Sequence, residues 1–171
     1  MDNKTDLRNS RKRGCNILGF EENEKKIDFS YQSKQKMIFH QVEWPSAKLR
    51  RTILDGSDFT EANLSHADLT SASLRDAIFT KASLDGACLR NVDARRAKFG
   101  LANLQGADVY GADLRGIRGK YAVWRGVNWW EAKLSDRLRT SLEKRWSKEE
   151  AIRWRKKHII SSSLDDVLED D

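Results

Sequence analysis

The sequence predicts an all-β solenoid, a four-sided β-helix of about five coils closed by a C-terminal α-helical cap. Three observations predict it. Small residues and leucines recur every five positions, as in "ANLSHADLTSASL" from Ala62 to Leu74. Phenylalanines recur every twenty, at Phe39, Phe59, Phe79 and Phe99. Beyond Leu134 the apolar step becomes four, through Leu138, Leu142 and Trp146.

A step of five fits no single regular element. In an α-helix each leucine would be rotated about 500° from the last, so no apolar stripe would form. In a continuous strand an odd step sends successive leucines to opposite faces. Only a chain that turns once per repeat keeps every leucine on one side. Within each pentad the small residue and the leucine stand two apart, which is strand spacing and points both inward, and the next two residues carry the corner. The phase runs without an insertion from Val42 to Asp136 and, with Phe39, from residue 37, so the β-helix is expected over 37–134. A second period of twenty means four pentads per coil, with the phenylalanines stacked up one inner side as core. Gly119 stands where that column would continue, and Trp124 and Trp129 follow at inward positions. Removing one large side chain makes room for two larger ones.

Such a stack needs its ends closed, because open β-edges invite pairing with another copy. The four-residue step after Leu134 is helical spacing, and "SKEE" at Ser147–Glu150 reads as a capping box that starts a second helix carrying Ile152 and Trp154. Two short helices are marginal alone, so residues 135–160 are expected to dock on the tryptophan-lined last coil, sealing it or forming a dimer face. Residues 1–36 read as a mostly disordered N-terminal segment with a short cap from Ile27, Phe29 and Tyr31, and 161–171 as a flexible acidic tail.

The strings "ANLSHADLTSASL" and "ANLQGADVYGADL" resemble the pentapeptide-repeat family, whose pattern is A(D/N)LXX. The resemblance implies a right-handed quadrilateral β-helix and members that are mostly not enzymes. The best understood members imitate double-stranded DNA in shape and charge and protect DNA gyrase. Asp58, Asp68, Asp108 and Asp113 occupy the D/N position, where they are expected to serve turns and surface solvation.

No catalytic, metal-ligating or cofactor-binding motif is found, so no enzyme activity, cofactor or small-molecule substrate is expected. His40, His66 and His158 form no ligand pair and read as exposed histidines. Cys15 and Cys88 are too few for a disulfide framework, and Cys88, at an outward position, is expected to be an ordinary exposed thiol. The sequence lacks an apolar run long enough for a membrane span and its start lacks the pattern of a secretory signal, so a cytoplasmic location is expected.

The net charge of +6 is uneven. Residues 1–41 and 42–134 carry +3 each, 135–158 carry +5, and the tail carries −5. Two groups are candidate interaction sites. One is a column of Arg75, Arg95, Arg96 and Arg115, one coil apart, either paired with Asp76, Asp93 and Asp113 or facing an acidic partner. The other is the basic cap surface, with Arg137, Arg139, Lys144, Arg145, Arg153, Lys156 and Lys157; Lys148 and Arg155 add to it, and Trp146 and Trp154 are interleaved. The leading reading is a non-enzymatic scaffold that offers flat faces to a protein partner, as a monomer or as a homodimer through the C-terminal helices. A DNA-mimic protector of gyrase and nucleic-acid binding through the cap are the alternatives.

Overall fold

The structure, a computed structural model, describes residues 27–158. Parallel β-bridges join residues twenty apart, from Asp28 with Lys48 to Asp113 with Lys133. The chain therefore climbs one coil every four pentads. We number the four faces by their inward bulky residues: face 1 carries Leu49, Leu69, Leu89, Val109 and Trp129; face 2 carries Leu54, Leu74, Ala94 and Leu114; face 3 carries the phenylalanines; face 4 carries Trp44, Leu64, Leu84, Leu104 and Trp124.

From Trp44 onward each corner is a tight turn closed by a backbone hydrogen bond three residues on, such as Ala67 N–H to Leu64 O at 3.1 Å. Every fifth residue from Tyr31 to Gly126 has positive φ, and fourteen of these are not glycine. A left-handed residue in the third place of the turn is what a type II turn requires. The strain in a non-glycine residue there, on the order of 1 kcal/mol, is offset by the stacked ladder and by the filled core. The D/N position contributes directly: Asp58, Asp68, Asp108 and Asp113 each accept the amide N–H two residues on, at 2.9, 3.0, 3.0 and 3.2 Å. The turn role expected of these aspartates is therefore present. Surface solvation is not general, because Asp68 and Asp108 are buried.

The core is regular. Phe59, Phe79 and Phe99 are fully buried and stack nearly parallel, with centroids 5.1 Å apart, and Phe39 continues the column 4.9 Å below Phe59. Gly119 ends it, and a Cβ there would meet the Trp124 ring at 3.8 Å, so the tryptophan fills the space that the missing phenyl leaves. Thr52 and Ser57 point inward as the pattern demands and satisfy their hydroxyls on the coil below, on Phe29 O and Lys34 O.

The solenoid begins earlier than 37. Asp28 and Ser33 already bridge to Lys48 and Ile53, so 27–36 are coil and Ile27 and Phe29 are an ordinary inward pair. Polar Gln32 and Lys34 at inward positions hid this pentad. They are tolerated because they sit at the partly exposed first coil, where the Lys34 ammonium lies 5.0 Å over the Phe29 ring. Residues 1–26 and 159–171, including the predicted disordered segment and acidic tail, lie outside the described residues.

At the other end the ladder breaks on face 1. The chain forms a 3-10 turn at Trp129–Glu131, and the side chain of buried Asn128 accepts the Val109 N–H at 2.8 Å and donates to Asp108 at 2.7 Å. Two helices follow, α1 (Asp136–Arg145) and α2 (Lys148–His158). Ser147 Oγ accepts the Glu150 N–H, as the capping box predicts. Leu138, Leu142 and Trp146 pack on the core, and the Trp129 indole donates to Trp146 O at 3.0 Å. Thus α1 covers the tryptophan-lined end within one chain.

Candidate functional site

Helix α2 does not share that end-on position. It lies against the side of the solenoid, at the corner between faces 4 and 1. Gly86, Gly106 and Gly126 stack there twenty residues apart, and the Trp154 ring lies across the last two: a Cβ on Gly126 would meet it at 2.0 Å and one on Gly106 at 2.9 Å. Arg155 follows the ring inward and donates to the carbonyls of Gly126, Ala107 and Gly106 at 3.0, 3.3 and 3.4 Å. Burial lowers its pKa, against the pull of nearby Asp108. Arg155 is therefore a docking residue rather than part of a solvated basic face. Spacing did not reveal this, although glycines twenty residues apart were a readable sign of something packed on that corner.

Between α2, the turn before it and the Arg125–Gly126 corner lies an open cleft of about 450 Å³. Arg125, Arg145, Arg153 and Lys157 supply its positive charge, Glu150 is its one acid, and Trp146 and Trp154 form apolar walls. His158 also lines it, stacked on Trp154 at 4.5 Å. Among the described residues, Arg125, Arg145 and Arg153 form no ion pair. Of the seven cap cations predicted as one surface, Arg145, Arg153 and Lys157 come together here, while Arg137, Arg139, Lys144 and Lys156 lie outside the lining. Arg125 was missed because it belongs to the solenoid and reaches the cleft only through the side-on docking of α2.

The arginine column is a different object. Arg96 grips Asp76 with two hydrogen bonds at 2.8 and 2.7 Å, Arg115 grips Asp113 at 2.9 and 2.6 Å, and Asp93 receives Arg95 twice at 2.9 Å and Arg75 at 2.7 Å. Burial would raise the Asp93 carboxyl, but these bonds from Arg95 and Arg75 outweigh it and hold the group at about 2. Asp76 and Asp113 are lowered chiefly by their own arginines. Each arginine thus has its carboxylate on the same edge.

One smaller expectation changes. Cys88 is only 4% exposed and is held in a disulfide, so it is not an exposed thiol; Cys15 lies outside the described residues. His40 is exposed, as expected, and its ring reaches Asp58 at 2.7 Å. No cluster of three or more His, Cys, Asp or Glu side chains placed for a metal ion occurs among the described residues.

The family model for pentapeptide repeats matches eight copies, over residues 46–76, 57–93 and 77–116. Residues 46–116 are thus pentapeptide repeats of that family. Among solved structures this pentapeptide-repeat protein is similar to one from the Arabidopsis thaliana thylakoid lumen, with 28% identity and a TM-score of 0.61 over 64% of this chain and 76% of the other. It is also similar to HetL of Nostoc sp. strain PCC 7120, a protein involved in heterocyst differentiation regulation (19% identity, TM-score 0.34, 64% and 72% covered). A third is QnrB1, a plasmid-mediated fluoroquinolone resistance protein (16%, TM-score 0.37, 69% and 82% covered). No curated protein sequence matches the chain.

Proposed function

We propose that this pentapeptide-repeat protein is a non-enzymatic interaction module that holds an acidic segment of a protein partner in the cleft between α2 and the last coil. The observation that carries this is the contrast between its two groups of arginines. Those of the column are each satisfied by a neighbouring aspartate, whereas Arg125, Arg145 and Arg153 converge on an open, tryptophan-walled cleft with no ion pair among the described residues. A guanidinium left open beside apolar walls suits carboxylates interleaved with apolar side chains. An exposed column already in ion pairs contributes little to association, since its charges would have to exchange one partner for another.

The DNA-mimic reading needs faces dense in unpaired acid, and here the acids of face 2 are matched by arginines. Nucleic-acid binding is the second reading, favoured by Trp146 and Trp154 beside the cations, because bases stack on aromatic rings. Binding of a labelled peptide of alternating Glu and Leu separates these readings. Replacing Arg145 and Arg153 with Glu should weaken capture at least about tenfold, and replacing Arg95 and Arg115 with Glu should change it less than about twofold. Equal losses in the two variants, or tighter binding of single-stranded DNA than of the peptide, would contradict the proposal.

A further inference from the structure

The last described residue, His158, lines the cleft, and the chain continues from it. The next thirteen residues contain five acids and no base: Asp165, Asp166, Glu169, Asp170 and Asp171. Leu164, Val167 and Leu168 are interleaved with them. We propose that this C-terminal segment docks in the cleft of its own chain, so that an acidic partner must displace it. The inference rests on the reading of the cleft as a site for acidic segments.

Three arguments support it. Reach is the first: six residues lie between His158 and Asp165, and an extended chain covers roughly 3.3–3.6 Å per residue, so the acids can reach across a cleft that His158 itself lines. Complementarity is the second. The cleft offers guanidinium groups and the apolar walls of Trp146 and Trp154, while the segment offers carboxylates with aliphatic side chains between them, a combination that a bare polyanion lacks. The third is mass action. A short tether holds the segment at an effective concentration on the order of millimolar, so an affinity too weak to matter between molecules still fills the site within one. A partner then competes against a resident, and anything that neutralises or removes the segment raises the partner's apparent affinity.

The test uses the full chain and a full-length variant whose tail is neutral: Asp165→Asn, Asp166→Asn, Glu169→Gln, Asp170→Asn and Asp171→Asn. The probe is a fluorescein-labelled peptide copying residues 161–171, followed by anisotropy. The neutral-tail chain should bind it at least about tenfold more tightly than the wild type. Adding Arg145→Ala and Arg153→Ala, both at exposed positions, should cancel the gain. Equal, arginine-dependent binding by wild type and neutral-tail chains would overturn docking in cis and leave the cleft reading standing. No binding by either chain, or displacement of the peptide by a single-stranded oligonucleotide at lower concentration, would overturn both.

Discussion

Asp93 is the residue on which the arginine column closes, since it is the only one of the three aspartates to hold two arginines. Its folded pKa of about 2 lies below the ordinary 3.8, so the charged form is favoured by folding. That contribution is complete above about pH 4 and is lost as pH falls toward 2. After discounting for solvent screening it amounts to about 1 kcal/mol. Asp93→Asn should therefore be less stable than wild type by about that much at pH 7 in urea melts, with the difference closing as pH approaches 2. A constant difference would mean that the lost term is packing rather than charge. Direction along the chain was readable at this scale: period five says which side chains point out, and period twenty says which stack. Whether an outward side chain is exposed was not readable. Cys88 and Asp108 point out of their strands and are both 4% exposed, because neighbours eighteen and twenty residues away, Thr70 and Asn128, cover them.

At the scale of elements, the two helices were legible and their seats were not. The change of period to four and the Ser147 cap gave their residues, and the Trp124–Trp129 end gave the seat of α1. Nothing in a periodicity says that α2 turns back along the side of the coil. The signal lay in another column, Gly106 and Gly126, whose missing side chains make the bed for Trp154. Gly126→Ala tests this seat. The new methyl would meet the ring at 2.0 Å, on a backbone with φ of +71°, so the variant should lose about 2 kcal/mol or more. Its indole fluorescence should shift to the red as Trp154 leaves the corner. Gly116→Ala, with similar φ but contacts of 3.5 Å or more, isolates the backbone strain and should cost less and leave the fluorescence unchanged.

For the whole molecule, the solenoid acts as a rigid support whose column charges are settled among themselves, and the functional reading places open positive charge where the helices meet it. The sequence located that charge in the cap but spread it over seven cations, because charge counting has no information on which of them a fold brings into one concavity. The central claim is that binding occurs at this cleft and not along the arginine column, and a titration of the full chain, with its own or a neutral tail, by an acidic peptide tests it most directly when read through the six tryptophan indole N–H resonances and the backbone amides. The account predicts progressive shifts at Trp146 and Trp154 and at the amides of Arg145 and Arg153, with Trp44 and the amides of Arg75, Arg95, Arg96 and Arg115 unmoved. Shifts that follow the column from Arg75 to Arg115 while Trp154 stays fixed would contradict it.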